Sequence, residues 1–404
     1  MEIITVGMSP NTEHDDVQRA LQILFMPWRW YKDDERKKVI DWFKKKFDSS
    51  HVTLFSSGRS ALTALLESFG IGAGNEVILQ AFTCMVVPNA IRFSGATPKY
   101  VDIDDSANIN PDQLEKSITK KTKAIIVQHT FGTPADMDKV MVIAKKHKVF
   151  VIEDCAHALG AVYKGKKVGT IGDAAFFSFG RDKIISSVFG GAAIAKNRQA
   201  AQRLEIIEHA LPNPSFFWIF QQLCHPVTMS VILPFYKSGI GKILLVLLQK
   251  LHFLSFPVSK SEVSGIQPKH YCMRYPNALA YLLTRQLQKL DRYTKVRQSI
   301  SEYYEQELKK LRIAYLDTRE QSARLRFGIT TDKQQILLKA KQHNILLGNW
   351  YHNVVDPKGS DMSKAGYQQG SCPKAEQLAK TIVNLPTRIT QKQAEKIIRV
   401  FNSL

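Results

Sequence analysis

Cysteine is scarce and scattered in this chain. Five occur in 404 residues, none at C-x-x-C spacing, so neither a disulfide framework nor a thiolate metal site can be read from them. Free thiols in a reducing, cytoplasmic compartment are the expectation. Acid is short too: 36 Asp and Glu stand against 56 Lys and Arg, a net charge of +20. That excess favours an anionic partner, whether nucleic acid, an acidic membrane or a phosphorylated substrate. No basic run interleaved with aromatics appears, which takes nucleic acid off the list. Met1–Pro10 has no basic region followed by an apolar run, so a secretory signal is not expected. From Ala210 to Tyr236 there is no Asp, Glu, Lys or Arg at all. Pro226 and Pro234 interrupt that stretch, and the pieces are expected to be too short to span a bilayer.

Elsewhere, short apolar strands alternate with amphipathic helical segments, the pattern of an α/β protein with a mainly parallel sheet covered on both faces. Val52–Phe55, Val77–Gln80, Lys99–Ile103, Lys123–Gln128, Val149–Ile152 and Ala174–Phe179 read as strands. Asn11–Phe47 reads as mostly helical, and about Asn277–Leu311 as one long helix. The chain divides into a helical segment (1–50), a large domain (51–209), an apolar insertion (210–260), and the long helix with a small α+β domain (261–404).

One stretch organises the rest. Val149–Ile152 delivers Glu153 and Asp154; Ala174–Phe179 leads past Ser178 to Lys183, which sits before the Gly190–Gly191 turn. A lysine among so many apolar residues needs a task. Burial lowers a lysine pKa and leaves a nucleophilic, basic amine. A carboxylate facing a pyridine nitrogen is the partner that pyridoxal 5'-phosphate (PLP) requires. Lys183 and Asp154 are therefore the candidate pair for PLP. Upstream, Ser56–Ser57–Gly58–Arg59–Ser60 turns from a strand into a helix. A helix start of this kind binds anions through free N–H groups, here those of Gly58 and Arg59, although capping accounts for the serines equally well. Since ligands of open α/β sheets sit at strand C-terminal ends, Gly58, Asp154 and Lys183 are expected to converge.

These motifs resemble the DegT/DnrJ/EryC1/StrS family of PLP-dependent sugar aminotransferases. The shared features are Ile152–Glu153–Asp154, Gly160–Ala161, Gly172–Asp173, Phe177–Ser178–Phe179, Lys183, Gly190–Gly191 and the segment around Phe82–Thr83 and Asn89–Ala90. The resemblance implies a fold-type-I PLP transferase (aspartate-aminotransferase-like) with a smaller C-terminal α+β domain. It implies an amino group moved from glutamate or glutamine to a keto-sugar, nucleotide-linked, as in polysaccharide biosynthesis. Lys183 would carry PLP, Asp154 would face its ring nitrogen, and Ser178 would bind its phosphate. His157 stands where the family places Gln or His beside the ring hydroxyl; an ordinary half-buried histidine is the alternative. Family dehydratases replace the lysine with histidine, so Lys183 points to transamination. Two positions depart from the pattern. Cys84 replaces an aromatic that stacks on the PLP ring, and Cys272 replaces an Asn two residues before Arg274. In the family that Asn and Arg come from the neighbouring subunit, which implies a homodimer in which Arg274 reaches the partner's phosphate.

The insertion leaves two readings open. Phe216 to Pro257 is either a helical pair buried at a subunit interface or an interfacial hairpin on the inner face of an anionic membrane, with Lys237, Lys242, Lys250 and Lys260 reaching headgroups. Two rival functions are a membrane-associated PLP enzyme acting on a lipid-linked substrate and a non-enzymatic regulator that keeps the fold.

Overall fold

The structure is a computed structural model and describes residues 3–319 and 321–402. Its centre is a seven-stranded sheet in the order Val52–Phe55, Gly191–Ala195, Ala174–Ser178, Phe150–Asp154, Thr122–Gln128, Glu76–Gln80, Thr97–Val101. The last five run parallel; Gly191–Ala195 is antiparallel to both its neighbours. The strands read as unbroken apolar runs because helices cover both faces and leave no wet side. On one face the core joins the Asp34–Phe47 helix (Val39, Phe43, Phe47) to the long Asn277–Lys310 helix (Leu283, Leu290, Tyr293). On the other it joins the helices Gly58–Ser68, Val86–Phe93 and Arg198–Ala210.

A second sheet lies beyond the long helix. Arg326–Thr330 pairs antiparallel with both Ala314–Tyr315 and Ile382–Pro386. The helices Lys333–Gln342 and Gln391–Asn402 pack on it. The start of the chain belongs with this unit: Ile4–Thr5 pairs in parallel with Ile345–Leu346. Two residues of another short strand, Val355–Asp356, pair with Thr83–Cys84 and so bring the small unit against the mouth of the large sheet.

The insertion corrects the sequence reading. Pro226 does not break the chain; it lies inside a continuous helix, Phe216–Ile232, followed by a short 3-10 turn at Leu233–Phe235. Interior proline costs a helix about 3 kcal/mol. Here the apolar side of the helix (Ile219, Leu223, Met229, Ile232) is buried, and that packing offsets the lost backbone bond. Phe216–Phe235 is thus long and apolar enough to cross a membrane, but half of it is buried in the protein. Its buried polar side chains are tied to the body: His225 Nε2 lies 2.8 Å from Ser9 Oγ, and Gln222 Oε1 accepts from Arg181. It is a helix of the body, not a span. A second helix, Ile240–Lys250, folds back along it through Leu244, Leu245 and Leu248.

Candidate active site

Three strand ends build the site. In-register pairing sets Asp154 beside Phe176 on one side and Gln128 on the other. Two residues after Phe176, Ser178 ends its strand opposite Gly191. Gly191 in turn packs against the Ser57 turn: a Cβ there would meet the Ser57 carbonyl carbon and oxygen at 2.5 Å and the Gly58 nitrogen at 2.6 Å. Only glycine lets the two segments meet so closely. Ser57 does cap the following helix, accepting from the Ser60 N–H at 3.2 Å. This leaves the Gly58 and Arg59 N–H groups as the first of the helix, where no intrahelical carbonyl can reach them.

A cavity of about 450 Å³ opens between these ends. Gly58, Arg59, Cys84, Asp154, His157, Ser178 and Lys183 all line it. Arg274 does not. Its backbone bridges to Phe55 beside the Ser57 turn, but its side chain turns away and bonds Glu208 at 3.0 Å. The Arg59 guanidinium is taken up by Glu262 and the Pro257 carbonyl, which leaves its backbone N–H for an anion.

Burial dominates the electrostatics. It lowers the Lys183 pKa, assisted by the Arg326 cation, against the opposing pull of Cys84 and Asp154. It raises the Asp154 pKa, although the carboxylate accepts from the Ala156 N–H at 2.9 Å. It holds His157 well below the usual histidine range, with Lys183 and Arg326 adding to the effect, so the ring is neutral. Burial also pushes the Cys84 thiol up and keeps it protonated.

Several residues that sequence reasoning missed complete the walls. Gln128 ends its strand next to Asp154 and accepts from Thr83 Oγ1 at 2.8 Å. A polar residue closing an apolar strand was the same signal that picked out Asp154. Trp350 and Tyr351 come from the small unit, more than 150 residues beyond Lys183 in the chain. His157 stacks on Phe131 (6.1 Å) and on Trp350 (6.4 Å), and Arg326 lies over the Trp350 ring at 3.2 Å. No local motif marks these three.

The residues present fit PLP. Burial lowers the lysine's pKa, and a buried carboxylate shares its cavity. A phosphate has a helix start whose glycine cannot carry a Cβ without meeting Ser178 Cβ at 3.0 Å. Among the described residues, the buried Nδ1 of His157 has no hydrogen-bond partner, as expected of a group waiting for one from a ligand.

Such a lysine, carboxylate and helix start at the strand ends of a mainly parallel sheet define a fold-type-I PLP-dependent transferase. The chain belongs to the DegT/DnrJ/EryC1/StrS aminotransferase family, whose sequence profile matches residues 11–214 and 257–404, and its cofactor is PLP. It is 42% identical over 166 residues to the GDP-perosamine synthase of Escherichia coli O157:H7, covering 40% of this chain and 46% of that protein. It is 41% identical over 176 residues to the dTDP-3-amino-3,6-dideoxy-alpha-D-galactopyranose transaminase of Aneurinibacillus thermoaerophilus, covering 42% and 48%. The match thus spans about half the length of these curated relatives. Among solved structures, Spr1654 of Streptococcus pneumoniae in its PLP form superposes with a TM-score of 0.78 at 20% identity, over 100% of this chain and 98% of that one. Residues 215–256 fall between the two matched segments, outside the profile match.

Proposed function

We propose that this protein is an aminotransferase that moves an amino group from glutamate or glutamine to a nucleotide-linked keto-sugar. The observation that carries the reading is one cavity shared by a buried lysine of lowered pKa, a buried carboxylate and a glycine-opened helix start. Bound there, PLP supplies an electron sink for the carbon that exchanges its amino group. Lys183 would hold the cofactor through Nζ, and the same amine, when free, would move the proton at the donor's α-carbon. Asp154 faces the ring nitrogen and keeps it protonated. Ser178 and the Gly58 and Arg59 N–H groups bind the phosphate, with the helix dipole adding to them. His157, held neutral by burial, would offer Nδ1 to the ring oxygen. Cys84 lines the ring face with a polarisable sulfur in place of an aromatic plane. The intact Lys183–Asp154 pair speaks against a regulator that has only kept the fold.

The working unit in this reading is a homodimer, with Arg274 reaching the partner's phosphate site, and it works in the cytoplasm beside an anionic membrane surface. The net charge of +20 supports the last element. Incubation with glutamate or glutamine and a panel of nucleotide-linked keto-sugars tests the reaction. An amino-sugar product formed by the wild type and absent with Lys183→Ala is the expected result. Cofactor binding with no amino group transferred to any keto-sugar would count against the acceptor class.

A further inference from the structure

The hairpin outside the family match carries a surface that the site does not use. Among the described residues, twenty large apolar side chains are left exposed, and eleven of them lie between Phe216 and Phe256. Isolated exposed apolar groups mean little; a contiguous set marks a contact surface. The Ile240–Lys250 helix shows this most clearly. Its inner stripe (Leu244, Leu245, Leu248) packs on the neighbouring helix. Its outer stripe, Ile240, Ile243, Leu247 and the following Leu251, has the i, i+3, i+7, i+11 spacing of one helix face, and it is open: 61%, 71%, 49% and 65% exposed. A helix at a water-facing surface carries polar residues there.

The flanks decide what covers it. Lys242 and Lys250 lie beside the stripe with Val246 between them, and Lys237 and Lys260 stand at the two ends of the hairpin; all four are exposed. From His209 to Ser261 there is no Asp or Glu. An apolar stripe bordered by lysines and cleared of acid complements a bilayer with anionic headgroups. Aromatics extend the face: Trp30 stacks on Phe216 at 4.4 Å and the Tyr31 hydroxyl donates to the Pro214 carbonyl at 3.1 Å, which sets exposed Trp28 beside the hairpin's start.

We infer that the outer face of this hairpin seats the protein on an anionic lipid bilayer, with Ile240, Ile243, Leu247 and Leu251 entering the headgroup–acyl boundary and the four lysines meeting the headgroups. The inference rests on the membrane reading above and names the element that makes the contact. It also fixes an orientation. Phe256, Pro257 and Val258, at the hairpin's exit, line the PLP cavity, so the seated protein holds its cavity close to the lipid surface. The grip is polar and buried: Arg181, two residues before Lys183, donates through Nη1 to the Ser255 carbonyl (2.5 Å) and through Nη2 to Gln222 (3.3 Å), both hairpin residues.

Flotation of the full chain with equimolar phosphatidylglycerol–phosphatidylcholine vesicles tests this. The wild type is expected to float with these vesicles and not with phosphatidylcholine alone. Ile243→Ser/Leu247→Ser/Leu251→Ser, which changes only exposed positions, is expected to stay in the soluble fraction with unchanged circular dichroism and sedimentation. Lys242→Gln/Lys250→Gln is expected to weaken binding about 25-fold, roughly fivefold per lysine. If the triple variant floats as well as the wild type, the hairpin is not the seat and this inference falls while the membrane reading stands. If the wild type does not float at low salt, both fall. If the triple substitution changes the sedimenting species, the face is a contact between copies of this chain and the inference is overturned.

Discussion

Glu153→Gln should be far more damaging than its single-atom change suggests. The Glu153 side chain is fully buried behind the site, one residue before Asp154. Its Oε1 accepts from the Ile171 and Gly172 N–H groups, each at 2.7 Å; its Oε2 accepts from the Gly169 N–H at 2.8 Å and from His129 Nε2 at 3.2 Å. The tautomer of His129 is set by the Ala135 N–H, which donates to Nδ1 at 3.1 Å and so leaves the proton on Nε2. A glutamine must therefore turn its NH2 toward one pair of donors or the other. Either choice leaves two buried donors without an acceptor, at about 1–3 kcal/mol each. If His129 moves its proton to Nδ1, the clash moves to Ala135. A loss of roughly 2–6 kcal/mol follows, a large share of the ~5–15 kcal/mol that holds a domain together. The loss should depend on pH. Burial raises the Glu153 pKa, but the bonds from His129, Gly169 and Gly172 outweigh it and leave the folded-state pKa lowered. A depressed carboxylate contributes stability that is present above its unfolded value, about 4.3, and is lost as pH falls through the folded value. Urea melts of both proteins should therefore show a wide gap at neutral pH that narrows only below about pH 4. A gap under about 1 kcal/mol at neutral pH, or one that does not change on acidification, would refute the reasoning.

Purified wild type should be yellow, and borohydride should fix the cofactor to the peptide containing Lys183; a reducible linkage surviving in Lys183→Ala would remove that assignment. Gly191→Ala should cost roughly 1–3 kcal/mol by thermal melt, because the new Cβ meets backbone at 2.5 Å, and should weaken PLP binding by displacing the Ser57 turn. Mixing Lys183→Ala with Arg274→Ala subunits should restore activity if Arg274 serves the partner's site; no recovery despite demonstrated subunit exchange would leave Arg274 to its own chain, where it holds Glu208.

The part of the site legible in the sequence is the part that strands deliver locally. Asp154, Ser178 and Gly58 each close or follow a short apolar run, and Lys183 follows in the same turn, so the sheet carries them to one edge. Trp350 and Tyr351, with Arg326 over the Trp350 ring, were not legible, because they come to the cavity only through the docking of a separate unit at Thr83–Cys84. The same limit explains Pro226: the burial that outweighs its local cost depends on packing against the His14–Leu24 helix, about 200 residues earlier in the chain. Arg274 was expected at the partner's phosphate from the family motif alone; within its own chain its side chain follows Glu208, a charge that no short motif connects to it.

The pairing of Ile4–Thr5 with Ile345–Leu346 has a consequence for how the chain is made. At about 5–20 residues per second, some 20–70 seconds of synthesis separate the two strands on the ribosome. Through that time the first strand has open edges, and the segment behind it has work to do: Asn11 Nδ2 holds the Lys183 carbonyl at 2.6 Å and Arg297 in turn donates to Asn11 Oδ1 at 2.6 Å. Ile4–Thr5, made long before its partner strand, is thus among the last parts of this unit to be fixed. A bulky tag fused before Ile4 should slow the final step of maturation more than the folding of the large sheet.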